Sequence, residues 1–449
     1  MINRRDFIRY SSIGMTASLS GCLPGIDGLF TKNKNLKNIV FLTMNGGLSQ
    51  MESFDYKPEL IKSDGKSIYL PESENPYSSI IKPRTSFKQY GDSGAWISSA
   101  FPELSTIADK LTFIKSCKTF SLSHFPASRY LFTGSAVPDQ PSILSWLGHL
   151  LSPKPKDLPA SISMYDSNRP FPPFSDGMMK NIFLPDSAKG YLLKHSVIEM
   201  LKSSEITDPY ELKSIRLINQ LNKKGPLRSH NESIERAAAF DRYSSFKNSI
   251  QSTVDFEKEP EYIKKQYGLN DPSSSSMAKR LITARNLLES GVKVININSG
   301  GFGMFGWDAH HSFDSFFDIA KEVDRPITGF INDLEQRGLL DSTLVVFWTE
   351  FGRLPSVESL DPSDNKKGRD HNPNAFTIWL AGGGISPGKS IGTTDELAYK
   401  AVEDVYSIHD IHHTIFKLVG IDLNDLNYWH EGKLKTYFKQ RTRMIKGLI

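Results

Sequence analysis

The chain has 449 residues, 39% hydrophobic and 23% charged, long enough for two average domains or one large α/β domain with insertions. Its formal net charge of +4 is small and spread along the chain, with no long basic stripe, which excludes nucleic-acid binding. No apolar run reaches about 20 residues, which excludes an ordinary membrane-spanning helix.

Taken in chain order, the first segment is unlike the rest. Asn3-Arg4-Arg5-Asp6-Phe7-Ile8-Arg9 resembles a twin-arginine export motif, and the weakly apolar run from Tyr10 to Gly21 follows it. That order is a signal peptide, not a helix of the mature fold. Leu19-Ser20-Gly21-Cys22 resembles a lipobox, so residues 1–22 are read as a signal peptide and Cys22 as a lipidation site. A plain cleaved signal is the alternative. The expected location is the periplasm or cell envelope, with the export machinery as partner and the membrane held through the lipid. One acyl chain alone binds a membrane only marginally. With Cys22 lipidated, Cys117 has no disulfide partner.

Lys37–Met44 is a short apolar run that ends in the turn Asn45-Gly46-Gly47 and reads as a buried first strand. Leu111–Ile114 reads as a second strand, Ser142–Leu151 as a helix, and Ala160–Met164 as a further strand. The polar section from about Asp166 to Ala284 has few strand signals. It reads as a mostly helical insertion, with candidates at 209–222, 232–249 and 276–290. Val292–Asn298, Leu344–Thr349 and Phe376–Ala381 return as strands, with helices at Phe313–Arg337 and Ile408–Val419. Strands alternating with helices predict a mainly parallel sheet covered on both faces.

In such sheets ligands sit beyond the carboxyl ends of the strands, and polar clusters follow several of them here. Asp308, His310 and His311 follow the Gly-rich loop after Asn298; Glu350 and Arg353 follow Thr349; His371 lies in Gly368-Arg369-Asp370-His371-Asn372. Imidazoles and carboxylates meeting at one sheet edge suit a divalent metal, because zinc takes both ligand types. Asp308, His310, Glu350 and His371 are the candidate ligands, and His310 is preferred over its neighbour His311. The structural alternatives are a loop cap for Asp308, backbone bonding for Glu350, and an ion pair to either for Arg353. His409, His412 and His413 read as cap and surface residues. The loop from Gly300 to Gly306 lacks phosphate-cradle spacings and reads as a flexible approach to a ligand.

The blocks NIVFLTMNGGLSQMESFDYKP, SHFPASRYLFTGS, FGWDAHHSF, LLDSTLVVFWTEFGRLP, GRDHNPNAFTIWLAGGGISPGKSIGTTDELAYKAVED and IHDIHHTIFKLVGID resemble, in order, those of an exported, largely uncharacterised sulfatase-like family of the alkaline phosphatase-like superfamily. The resemblance implies a three-layer αβα sandwich over residues 36–449, with the 166–284 insertion inside it. It also implies one or two metals (zinc, calcium, manganese or iron) and a nucleophile for phosphate or sulfate esters.

The chain departs from that pattern. Asn45 stands where a first-strand Asp belongs, His124 at the nucleophile position, and Glu350-Phe351-Gly352 in place of Asp-His-Gly; the Asp308–His310 spacing is short. His124 could join Asp308, His310, Glu350 and His371 in a rebuilt one-metal site, serve as nucleophile or general acid–base, or merely fix a helix start, and Arg353 is a candidate catalytic group that could bind an anion. Two readings follow. One is an exported metal-dependent hydrolase of phosphate or sulfate esters with an altered site. The other is a non-catalytic envelope protein, without a cofactor, that binds a glycan, an anion or a protein.

Overall fold

The structure, a computed structural model, describes residues 36–71, 76–138, 140–151, 158–166, 178–185, 188–194, 254–301, 306–310, 313–358, 368–424, 426–430, 432–438 and 441–449. The export motif, Cys22, His311 and the expected helices at 209–222 and 232–249 lie outside those residues.

Asn38–Asn45 (β1) is buried throughout. Its Ile39 and Phe41 enter one core, and its Val40, Leu42 and Met44 the other. A strand apolar on both faces must be covered on both, as parallel strands are. β1 lies between Val294–Gly300 (β5) and Thr343–Trp348 (β6), parallel to each. On the β5 side the sheet continues through Ser161–Tyr165 (β3) to Tyr191–Lys194 (β4). On the β6 side it continues through Phe376–Gly382 (β9) to Leu111–Lys118 (β2). The short strands Ser390–Ile391 (β10) and Tyr406–Ser407 (β11) both pair with β2. The sheet is mainly parallel, as expected, with one exception: β9 runs antiparallel to β6 and β2.

Helices Ser275–Ser290 (α4) and Asp314–Gln336 (α5) cover one face. His124–Thr133 (α2), Ile143–Leu151 (α3) and Ile408–Leu418 (α6) cover the other. This is the expected three-layer αβα arrangement. α4 is the one helix expected in the insertion that falls among the described residues. No helix among them is long and apolar enough to cross a membrane. Near the chain's end, Asn427–His430 (β12) and Lys433–Thr436 (β13) form a hairpin.

Two differences from expectation concern polar segments. Gly352–Val357 (β7) and Arg369–Asn372 (β8) form an antiparallel pair where the sequence suggested loops. Leu354 packs on Leu70 and Tyr399, but the polar residues of the pair are buried through ions and hydrogen bonds. The guanidinium of Arg369 donates to Glu52 of the short helix Gln50–Ser53 (α1) at 2.9–3.2 Å, and neither residue is exposed. Gln50 extends the pair: its Nε2 donates to Arg353 O at 2.9 Å, and its Oε1 accepts from Arg353 N at 2.9 Å. The second difference is that His412 and His413 are buried, not on the surface. His412 Nε2 bonds Leu131 O at 2.8 Å and His409 Nε2 bonds Gly134 O at 2.7 Å, so α6 satisfies carbonyls that the end of α2 leaves open. Burial pushes His412 down to about 3, so it is neutral there.

Asp324 shows how α5 fixes its neighbours. It accepts from the backbone N–H of Glu103 and Leu104 at 2.7 and 2.8 Å, capping the turn that begins at Leu104.

Candidate metal centre

Four segments deliver side chains to the carboxyl edge of the sheet. α2 begins with His124, whose extended predecessor Ser123 turns the chain into the helix. Asp308 and His310 lie on the segment after β5. Glu350 and Phe351 follow β6, and His371 lies on β8.

Asp308 is the centre. Its Oδ1 lies 3.0 Å from His124 Nε2, 2.8 Å from His310 Nε2 and 3.4 Å from His371 Nε2. Arg353 Nη2 reaches the same oxygen at 2.6 Å. His310 Nε2 and His371 Nε2 are 2.8 Å apart. These four residues could hold a metal ion: each offers one ligand atom, and the four atoms lie within 4.8 Å of one another. Ligands 2.0–2.1 Å from a tetrahedral zinc are about 3.3 Å from each other; four of the six separations here are 2.8–3.4 Å, and the other two lie within 4.8 Å.

The opposite ring nitrogens support the same arrangement. His124 Nδ1 donates to Glu350 Oε1 at 2.8 Å, and His310 Nδ1 donates to Glu358. A carboxylate behind an imidazole fixes its tautomer and aims Nε2 forward, which is the usual setting of a metal-ligating histidine. Glu350 is itself held by the Gly46 backbone N–H at 2.8 Å. Gly46 has φ +117°, and a Cβ there would stand 2.7 Å from Asp308 N, so the turn after β1 needs glycine to let Asp308 approach.

The electrostatics follow from this geometry. Burial opposes charge on His310, but its bonds to Asp308 and Glu358 outweigh that and raise it to about 9. His124 is raised by the same balance between burial and its two carboxylates. Burial would raise Asp308, yet three imidazoles and Arg353 hold it far below the usual carboxylate range. His371 is pushed down to about 3 by burial and by Arg353. The pocket thus favours positive charge at the Nε2 side of His124 and His310, as protons or as a metal cation.

The residues read from the sequence take different places in this centre. His124, expected as a catalytic group, joins the converging set with Asp308, His310 and His371. Glu350, expected as a ligand, stands behind His124. Arg353, read as an anion-binding group or an ion-pair partner of Glu350 or Asp308, is buried under the cluster and pairs with Asp308. Besides Asp308, its guanidinium donates to Gly47 O and Arg369 O at 2.9 Å each and to Gly46 O. Phe351 packs its ring 4.8 Å from His124 and 4.5 Å from His371, centroid to centroid, wedging the two imidazoles. Asn45 is turned away and donates to Asn298 Oδ1 at 3.1 Å. Glu358 was missed: an acid in a polar stretch carries no local signal of the imidazole it meets. Residues 302–305 of the Gly-rich loop lie outside the described residues.

Sheet and cluster together define a three-layer α/β protein with a candidate metal centre at the carboxyl edge of its sheet. The chain belongs to the family described as "Protein of unknown function (DUF1501)", which it matches over residues 36–449. No curated protein matches it in sequence. Among solved structures, it is similar to the lipoteichoic acid synthase LtaP from Listeria monocytogenes at 10% identity, over 92% of this chain and 79% of that one, with a TM-score of 0.40. It is also similar to the C-terminal periplasmic domain of EcEptC from Escherichia coli in complex with Zn, at 10% identity over 91% and 95% with a TM-score of 0.35. A protein in the alkaline phosphatase superfamily from Vibrio parahaemolyticus is similar at 7% identity over 86% and 67%, with a TM-score of 0.32.

Proposed function

We propose that the chain is an exported, metal-dependent hydrolase of phosphate or sulfate esters on an alkaline phosphatase-like scaffold. The observation that carries this reading is the meeting of three imidazole Nε2 atoms at one oxygen of Asp308, two of them backed by carboxylates. In this reading His124, His310, His371 and Asp308 hold one divalent cation, and Glu350 and Glu358 orient His124 and His310. A bound divalent cation supplies positive charge that polarises an ester oxygen and acidifies water. Arg353 acts through Asp308, fixing its carboxylate from below.

A second reading, a non-catalytic envelope protein that binds a glycan, an anion or a protein, is favoured by one feature. Arg353 is turned inward onto backbone carbonyls and Asp308 instead of toward an ester. Metal analysis by mass spectrometry of the chain purified without added metal or chelator, beside His371→Ala, separates the readings when joined to a screen of aryl phosphates and sulfates. Stoichiometric metal and turnover, both lost in the variant, support the hydrolase. Absence of metal from both proteins overturns it, and metal without turnover leaves a binding protein with a metal centre.

A further inference from the structure

The ring of His310 has partners on both sides. Its Nε2 faces Asp308 and His371, whereas its Nδ1, across the ring, donates to Glu358. His310, Glu358 and Asp370 form a second group that could hold a metal ion: each offers one ligand atom, and the three atoms lie within 4.8 Å of one another. A proton on Nδ1 needs only one carboxylate, and Glu350 serves that purpose for His124. Beside His310 there are two. Carboxylates this close oppose each other's charge, and a cation between them removes the conflict.

The pairing of β7 with β8 brings the three residues together. Val357 is opposite Arg369, and one residue further on the Glu358 N–H donates to Gly368 O at 3.1 Å. The segment that carries His310 lies against the same strand. Arg369 N–H donates to Ala309 O at 3.1 Å, and a Cβ at Gly368 would run into His310 O. Asp370 is buried, and its Oδ1 accepts from His371 N–H at 2.6 Å, which fixes the carboxylate. The side chains of Glu358 and His310 are each 21% exposed, so the group is reached from solvent.

We propose that His310 Nδ1, Glu358 and Asp370 hold a second divalent transition cation, with the His310 ring bridging it to the first. One imidazole and two carboxylates, completed by water, are a donor set that zinc and manganese accept. The place is not the one the family resemblance implies for a second ion, where Asn45 is turned to Asn298 and Phe351 offers no ligand. This site rests on the reading that a first cation sits at Asp308. A cation on Nε2 draws charge from the ring and acidifies the opposite N–H. The Nδ1 proton then passes to water, and the second cation takes its place between Nδ1 and Glu358. The inner ion therefore binds first, and with that ion alone Glu358 remains the acceptor described above.

The test is the metal content of the full chain, stripped with a chelator, dialysed against excess zinc, desalted and measured by mass spectrometry. Two zinc ions per chain are expected in the unchanged protein, one in Asp370→Asn and in Glu358→Gln, and none in His371→Ala. The amide oxygen of Asp370→Asn still accepts from His371 N–H, so β8 stays in place, and Glu358→Gln alters a more exposed position. Copper(II) then replaces zinc for electron paramagnetic resonance. Two spins coupled through the shared ring are expected in the unchanged protein and one isolated copper in Asp370→Asn. A single ion in the unchanged protein, lost in His371→Ala, overturns the second site and leaves the first standing. No ion in the unchanged protein overturns both. Two ions retained in Asp370→Asn and Glu358→Gln, an ion kept by His371→Ala, or an uncoupled spectrum from two coppers also overturns the bridged pair.

Discussion

His310 and His371 present the same ring nitrogen to each other, Nε2 to Nε2 at 2.8 Å, and both face Asp308 Oδ1. Two imidazole lone pairs do not meet at that distance without a proton or a cation between them. The contact is the most specific chemical statement the fold makes. It joins residues that are 61 positions apart, one on the segment after β5 and the other on β8.

The first prediction concerns stability. A cation that binds only the folded chain stabilises it by about 2.7 kcal/mol at a hundred times its dissociation constant. Zinc titrated into metal-free protein is therefore expected to raise the melting temperature by several degrees. His371→Ala and Asp308→Ala are expected to abolish that rise, measured by scanning calorimetry.

Glu350→Gln tests the carboxylate behind His124. The amide can still accept from Gly46 N–H, so the turn stays in place, but the imidazole loses a charged partner. Loss of such a partner weakens metal binding by about 10–100-fold. Competition against a chromophoric chelator gives the affinity, and the visible spectrum of a cobalt-loaded sample reports whether the ligand field has changed.

The ion pair between Glu52 and Arg369 has no exposure on either side. Removing one partner leaves a buried charge uncompensated, at a cost of about 3–5 kcal/mol. Glu52→Ala is expected to lower the free energy of urea unfolding by that amount. Glu52→Leu combined with Arg369→Met is expected to cost less than Glu52→Ala alone, because no charge is then stranded.

Asp324 gives a pH dependence with a definite sign. Burial raises it from 3.8 to about 7, against the two backbone N–H groups it accepts from. Between those values the folded protein keeps a proton that the unfolded chain has released. Its contribution to stability is therefore full below about pH 4 and is lost as pH rises through 7, by up to about 4 kcal/mol. Asp324→Asn is expected to flatten that fall. The measurement is urea unfolding at pH 4.5 and at pH 8 for both proteins, and the difference between the two slopes is what decides.

Much of the scaffold is written in apolar runs. β1, β5, β6 and β9 and the helices α3, α5 and α6 each follow from their spacing, because burial on one or two faces leaves a regular mark. β7 and β8 leave none: Arg353, Arg369 and Asn372 are buried by ion pairs and hydrogen bonds to distant residues, which no local pattern encodes. The reversed direction of β9 is equally silent, since an antiparallel strand buried on both faces has the same composition as a parallel one. At the centre, Asp308, His310 and His371 were legible as polar residues crowded near strand ends. The separate places of Glu350 and Arg353 were not. Whether a carboxylate faces a pocket or stands behind an imidazole depends on an orientation that only the folded backbone sets.

The position of β1 has a consequence for how the molecule is made. It is the first of the described strands to leave the ribosome, yet Asn38 waits for Thr343 and Ile39 for Val294 before both flanks of β1 are covered. At about 5–20 residues per second, the interval before β6 emerges is roughly 15–60 s. For most of it a buried strand has no native neighbour, and α2 carries His124 without the full set of residues it is to meet. The centre is therefore among the last parts to assemble, and nascent chains that end before His371 are expected to need a chaperone and to lack its complete ligand set.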